Sequence, residues 1–138
     1  MSAQEDFRQL LKKAGYSLTR PRLMVFNALL GHEPLNIRDL AAKTQGIDRA
    51  SVYRTVALFE QLGIAQRLNI GWKYKLELTD KFAEHHHHLS CSRCGRTIAM
   101  NESELEALIT RLAAHHQFAP VSHQIEIQGL CQDCQKLR

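Results

Sequence analysis

The sequence predicts an α+β chain in two parts. Three observations carry that reading. The first half holds short apolar patterns at helical spacing, broken by glycines. Two short strand-like runs around a turn come next, as a β-hairpin requires. The second half mixes strand and helix patterns and contains all four cysteines, as Cys91-x-x-Cys94 and Cys131-x-x-Cys134.

Residues 4–14 place Phe7, Leu10, Leu11 and Ala14 on one helical face, and Gly15 stops the pattern. Thr19 is a candidate cap for a second helix, with Pro21 in its first turn and Leu23, Val25, Phe26, Leu29 and Leu30 along it up to Gly31. Asn36 caps a third, short helix carrying Ile37, Leu40 and Ala41, which ends near Gly46. Asp48 caps a fourth, with Val52, Val56, Leu58, Phe59 and Leu62 facing inward and Gly63 as its stop. Residues 64–68 and 72–76 read as strands around a turn at 69–71. Short helices and then a hairpin, with a Gly-containing link at 45–47, is the order of a winged helix-turn-helix. The fourth helix offers Arg49, Ser51, Tyr53, Arg54 and Thr55 near its N-terminal end, where a recognition helix presents hydrogen-bonding groups to base edges.

Charge agrees with that placement. Residues 1–78 hold 12 Lys and Arg against 7 Asp and Glu, whereas residues 79–138 hold 6 against 7. The basic excess lies in the first half and suits a polyanion. With 138 residues and a 44% hydrophobic fraction, the chain is expected to fold as one medium domain or two small ones. No apolar run reaches the roughly 20 residues a membrane helix needs, and the first residues show no secretory pattern. A cytoplasmic protein is expected, without membrane contact. In that compartment paired cysteines are more often metal ligands or redox centres than disulfides.

Residues 79–84 form a polar hinge between the domain of residues 1–78 and a second one of residues 85–138. The second is expected to contain a strand over 85–91, a turn at 93–95 and a strand over 97–100. A helix over 102–118, opened by an Asn101/Glu104 capping box, and a strand over 122–128 complete it. About 55 residues make a poor core alone, so a structural metal or a dimer interface is expected to support it. Two C-x-x-C knuckles supply four thiolates, the closed set of a structural zinc. A thioredoxin-like redox pair is the rival, and it would place one pair at the start of a helix after a strand.

Side chains alternate across a strand, so His85 and His87 share one face and His86 and His88 the other. One strand can therefore feed two metal sites. With Glu106 on the helix and His123 on the last strand, His85 and His87 would make a three-nitrogen, one-oxygen site. That donor set suits zinc and tolerates iron, manganese or nickel.

These motifs together, H-H-x-H-L-x-C-x-x-C-G, the second C-x-x-C and A-S-V-Y-R-T on the fourth helix, resemble the ferric uptake regulator (Fur) family over nearly the whole chain. The resemblance implies a homodimeric, metal-dependent repressor of metal-uptake genes. It implies that the winged helix binds palindromic double-stranded operator DNA and that the α/β domain dimerises. By matching position it implies DNA contacts at Tyr53, Arg54 and Arg22, and structural zinc at Cys91, Cys94, Cys131 and Cys134. A second site is implied at His85, His87, Glu106 and His123. At the hinge, His86 and His88 match two ligands of a regulatory site, while Ala99 and Pro34 stand where the family often has a carboxylate and a histidine. Glu77, Asp80 and His32 are the candidates to complete it. These departures tilt the sensed metal toward zinc, as in zinc uptake regulators, over iron or manganese. Outside this family, the alternatives are a small zinc hydrolase with Glu106 as base, and a cysteine redox switch.

Overall fold

The computed structural model describes residues 2–137, which divide into two compact units, the first ending at Glu84 and the second starting at His85. The first contains α1 (Ala3–Lys13), α2 (Arg20–Leu29), α3 (Ile37–Lys43), α4 (Arg49–Gln61) and the strands β1 (Ala65–Ile70) and β2 (Lys73–Leu78). The second contains β3 (His87–Cys91), β4 (Thr97–Met100), α5 (Ser103–His115), β5 (Glu126–Gly129) and the single turn α6 (Gln132–Gln135). The α+β class expected from the sequence holds.

The caps of the first unit are the ones its sequence marks. Thr19 accepts from the Arg22 N–H, Asn36 from the Asp39 N–H at 2.7 Å, and Asp48 from the Ser51 N–H at 3.2 Å. Each satisfies a backbone donor that the helix cannot pair internally. Ser2 does the same for α1, a cap the sequence reading missed.

The core forms where α1, α2 and α4 bring three phenylalanines together. Phe7 stacks on Phe26 with ring centroids 4.1 Å apart and meets Phe59 edge-on at 5.4 Å. Leu11, Val25, Leu40, Val52, Ile64 and Leu76 close around them, all buried. Aromatic pairs in these geometries add about 0.5–1.5 kcal/mol to the area they bury.

The hairpin pairs Ile70 with Lys73 across a two-residue turn, Gly71-Trp72, in place of the three-residue turn expected at 69–71. Gly71 takes φ of +62°, the first-position geometry that a tight hairpin reserves for glycine. Leu35 exchanges both backbone hydrogen bonds with Leu76, at 2.9 and 2.7 Å, and so lays the loop before α3 against the hairpin.

In the second unit β3 is central, antiparallel to β4 and parallel to β5. Three expectations change here. The helix is shorter than 102–118, because Gln117 adopts a left-handed φ of 63° just beyond it. Glu102 occupies its cap position without a side-chain cap bond, so the Asn101/Glu104 capping box does not form. The last strand covers 126–129, and His123 lies before it, outside the strand.

Among the described residues of this unit the buried side chains are His87, His88, Ser90, Cys91 and Cys134, with no buried Leu, Ile, Val or Phe. Leu89, Ile98 and Ile127 face one another across the sheet in register and remain exposed. The described residues contain no helix long and apolar enough to cross a membrane.

Candidate metal centres and nucleic-acid face

The first knuckle joins β3 to β4. Cys91 ends β3, and Gly95, with φ of +79°, turns the chain so that its N–H reaches the Cys91 carbonyl at 2.9 Å. The N–H groups of Cys94 and Arg96 then point at the sulfurs of Cys91 and Cys94, each at 3.4 Å. Cys131 occupies the cap position of α6 and Cys134 lies inside it. Arg93 donates to the Cys134 carbonyl at 3.2 Å and straps the two knuckles together.

All four sulfurs lie within 4.8 Å of one another, and Cys94 and Cys131 are 3.8 Å apart. Sulfurs about 2.3 Å from a tetrahedral zinc are spaced by about 3.8 Å, so the donor set fits that ion. The second knuckle opens a helical turn after a strand, the placement expected of a redox pair. Convergence of four sulfurs is more than a dithiol needs and is the arrangement of a closed metal site. The Cys91 thiol is pulled down to about 5, first by the Cys131 N–H and then by that of Cys94. Desolvation and the neighbouring sulfurs push Cys134 up to about 12. The site thus favours ionisation at Cys91, where backbone N–H groups point at the sulfur, and opposes it at Cys134, which is desolvated among the other sulfurs.

The second cluster gathers His85, His87, Glu106 and His123 within the second unit. Glu106 projects from the first turn of α5 onto β3. Its Oε1 lies 3.1 Å from His85 Nε2 and 2.6 Å from His87 Nε2, and its Oε2 lies 2.8 Å from His123 Nε2. The two outer imidazoles approach to 3.1 Å between Nε2 atoms. Ligands about 2.1 Å from a first-row divalent ion stand about 3.4 Å apart, so a few tenths of an ångström of opening admits one. Desolvation raises the Glu106 carboxyl, but the His87 hydrogen bond and the charges of His123 and His85 outweigh it, and the net shift is downward. The carboxylate touches all three rings, so it is placed among the candidate donors. A hydrolase would need it beside the set, acting on a bound water.

The ring of His87 is 1% exposed, and its Nδ1 accepts the Ile125 N–H at 3.2 Å. The proton of a neutral His87 therefore sits on Nε2, facing Glu106. On the opposite face of β3 the rings of His86 and His88 stack edge to face at 4.6 Å. The remaining hinge candidates belong to the other unit: Glu77 on β2, accepting from Gln66 at 2.9 Å, with exposed Asp80 and His32 in loops.

On α4, Arg49 and Arg54 are exposed and Tyr53 is 46% exposed. Thr55 corrects the sequence reading. It is buried, and its hydroxyl donates to the Ser51 carbonyl at 2.8 Å, so it cannot reach a base. Position 55 lies three residues after Val52 and four before Phe59, the spacing of the inward face, and that signal was in the sequence.

Ser51 is engaged within the helix. Its hydroxyl donates to Asp48 at 2.6 Å and accepts from Arg54 at 3.1 Å, making it a brace between the cap and the arginine. Asp48 is held below the ordinary carboxylate range chiefly by Ser51, through its side chain and then its backbone. Arg22 donates to the Ser17 carbonyl at 2.7 Å and lies over the Tyr16 ring. Tyr16, Thr19, Arg22, Ser51 and Arg54 share a cleft of about 490 Å³ between the start of α2 and α4.

The model of the Ferric uptake regulator family matches residues 13–128. The Ferric uptake regulation protein of Escherichia coli (strain K12) is 34% identical over 142 residues, covering 95% of this chain and 93% of that protein. The Vibrio cholerae ferric uptake regulator, described by its rearranged DNA-binding domains, superposes with a TM-score of 0.75 at 28% identity, covering 90% of this chain and 98% of the other. A zinc-bound manganese uptake regulator gives 0.67 at 30% identity, covering 89% and 96%. Proteins of this kind are dimeric, DNA-binding, metal-responsive transcription regulators of iron, manganese or zinc homeostasis, and they are not enzymes. With a match over most of its length, this chain belongs to the ferric uptake regulator family.

Proposed function

We propose that the chain is a homodimeric repressor of metal-homeostasis genes that binds palindromic operator DNA when zinc is abundant. The observation that carries this reading is the cluster of His85, His87, His123 and Glu106, a compact three-nitrogen, one-oxygen donor set suited to four-coordinate zinc. Cys91, Cys94, Cys131 and Cys134 hold a separate structural zinc. His86 and His88 are proposed as ligands of a regulatory ion, for which Glu77, Asp80 and His32 offer further donors. Tyr53, Arg54 and Arg49 contact bases, and Arg22 contacts a phosphate at the cleft it shares with Arg54. The metal acts by population shift: it promotes DNA binding to the extent that it binds the DNA-competent state more tightly.

Iron is the second reading, favoured by the 34% identity to the Ferric uptake regulation protein of Escherichia coli. Operator affinity measured against buffered free zinc, iron(II) and manganese(II), on protein that keeps its structural zinc, separates the two. Activation by zinc at the lowest free-ion concentration relative to cellular levels supports the first. Activation by iron(II) alone replaces it with the second. Affinity indifferent to all three ions removes the sensor function.

A further inference from the structure

The polar segment 79–84 is the expected hinge, yet its first four residues are built into the first unit. The Thr79 N–H donates to the Ile64 carbonyl at 3.0 Å, and the Thr79 hydroxyl donates to the Gly63 carbonyl at 2.7 Å. These bonds tie the end of β2 to the chain that leaves α4. A turn over residues 80–82 follows, closed by the Phe82 N–H on the Thr79 carbonyl at 3.0 Å. It returns Phe82 to the core, where the ring meets Phe26 edge-on with centroids 5.2 Å apart. Lys81 adds a further hold. A Cβ on Gly63 would lie 3.3 Å from its ammonium, so the cation sits beside the C-terminal end of α4, where the helix dipole favours it. His85 is held inside the second unit, its ring 3.1 Å from both Glu106 and His123. Two residues, Ala83 and Glu84, separate these holds.

We propose that residues 79–82 are a strap of the first unit with Phe82 as its latch, and that the pivot between the units is confined to Ala83 and Glu84. Phe82 is then a positioning residue for DNA binding. It touches no nucleic acid and sets how far each DNA-binding unit can stray from the dimer that carries it. Chain geometry gives the size of the effect. An extended chain reaches at most about 3.5 Å per residue, so the three steps from Phe82 to His85 span about 10 Å. With the strap released, the seven steps from Leu78 to His85 span about 25 Å. In a dimer the second half-site is met at an effective concentration that falls roughly as the −3/2 power of tether length, about 4-fold for this change. The lost orientation of a short pivot adds to that. The inference rests on the dimeric DNA-binding reading above.

The test uses the full-length, zinc-loaded protein, a two-fold duplex that it selects from a random-sequence library, and a second duplex that keeps one half-site. Phe82→Ala should weaken binding to the two-fold duplex roughly 3- to 10-fold and leave the half-site duplex unaffected, with zinc content and sedimentation unchanged. Phe82→Leu, which keeps an apolar latch, should retain most of the affinity. Trypsin should cut after Lys81 roughly 10-fold faster in Phe82→Ala than in the parent, because cutting requires the strap to leave its seat. Thr79→Val removes the hydroxyl bond and keeps the shape, and should move both readings the same way by less. Equal losses on the two duplexes would make Phe82 a core residue alone and overturn the inference. Unchanged cleavage overturns it too, as does faster cleavage with unaltered affinity for the two-fold duplex. In each case the DNA reading stands if Arg54→Ala weakens both duplexes. If no duplex is selected at all, the DNA reading fails and takes the inference with it.

Discussion

At the scale of single residues, the arginine proposed to meet a base on α4 is braced within its own helix. Asp48 caps α4, Ser51 donates to Asp48, and Arg54 donates to Ser51. A guanidinium held this way loses less freedom on meeting a base edge. Arg54→Ala is expected to weaken operator binding about 5- to 150-fold, the cost of one good base contact, with metal content unchanged. Ser51→Ala should lose less, and Ser51→Thr should restore the loss because it keeps the hydroxyl; gel-shift titrations read both. The cap is also pH-sensitive. A carboxyl whose folded value lies below its ordinary 3.8 stabilises the fold above that pH, and the contribution disappears as pH falls through the lowered value. The melting temperature of Asp48→Asn should therefore lie below that of the parent at neutral pH, with the gap closing in strong acid. His87 supplies a sharper probe. Its Nδ1 accepts the Ile125 N–H, yet a neutral imidazole that binds a metal through Nε2 carries its proton on Nδ1. Titrating zinc into protein whose four-cysteine centre is intact should therefore displace the Ile125 amide resonance strongly. An unmoved amide means that His87 does not bind through Nε2.

At the scale of elements, the difference between the two units explains what the sequence could and could not convey. The first unit is locally consistent: Thr19, Asn36 and Asp48 mark starts, Gly31 and Gly63 mark stops, and apolar residues recur at helical spacing. Local chemistry and tertiary packing agree there, so the elements are legible. Phe26 should be the least replaceable of these side chains, since it stacks on Phe7 and meets Phe82. Phe26→Ala is expected to cost about 3–5 kcal/mol in chemical denaturation, and a cost under about 1 kcal/mol would mean that the stack is dispensable. The second unit is less legible because its buried side chains are His87, His88, Ser90, Cys91 and Cys134 and not a periodic apolar set. Strand alternation sufficed to pair His85 with His87, while their meeting with Glu106 and His123 was expected from the donor types on the helix and last strand and from the family resemblance. Nothing local shows that Asn101 fails to cap α5, since its pattern is that of a capping box. The Ser51 brace and the burial of Thr55 depend on side-chain rotamers and on which face of α4 meets the core, which spacing alone leaves partly open.

At the scale of the whole molecule, the second unit cannot be understood as a lone chain. Its sheet shows Leu89, Ile98 and Ile127 in cross-strand register and unburied, and α5 has no buried side chain, with Leu108 and Leu112 exposed one turn apart. A patch of that kind marks an interface, and the family supplies its occupant, a second copy. On the reading proposed above, two supports hold the unit: the four-sulfur centre, which ties β3 to the C-terminal turn, and the partner chain. They can be removed separately. Ile127→Lys sets a charge on each side of a two-fold contact and should shift the protein toward monomer in sedimentation, while the four-sulfur centre keeps its zinc. Cys91→Ser should lose that zinc and lower the melting temperature of the second unit, with dissociation following from the disordered strand. A Cys91→Ser protein that remains dimeric with unaltered melting would show that the sulfurs do not support the fold. An Ile127→Lys protein that remains dimeric would place the contact elsewhere, because an unpaired lysine buried on each side of the interface is costly.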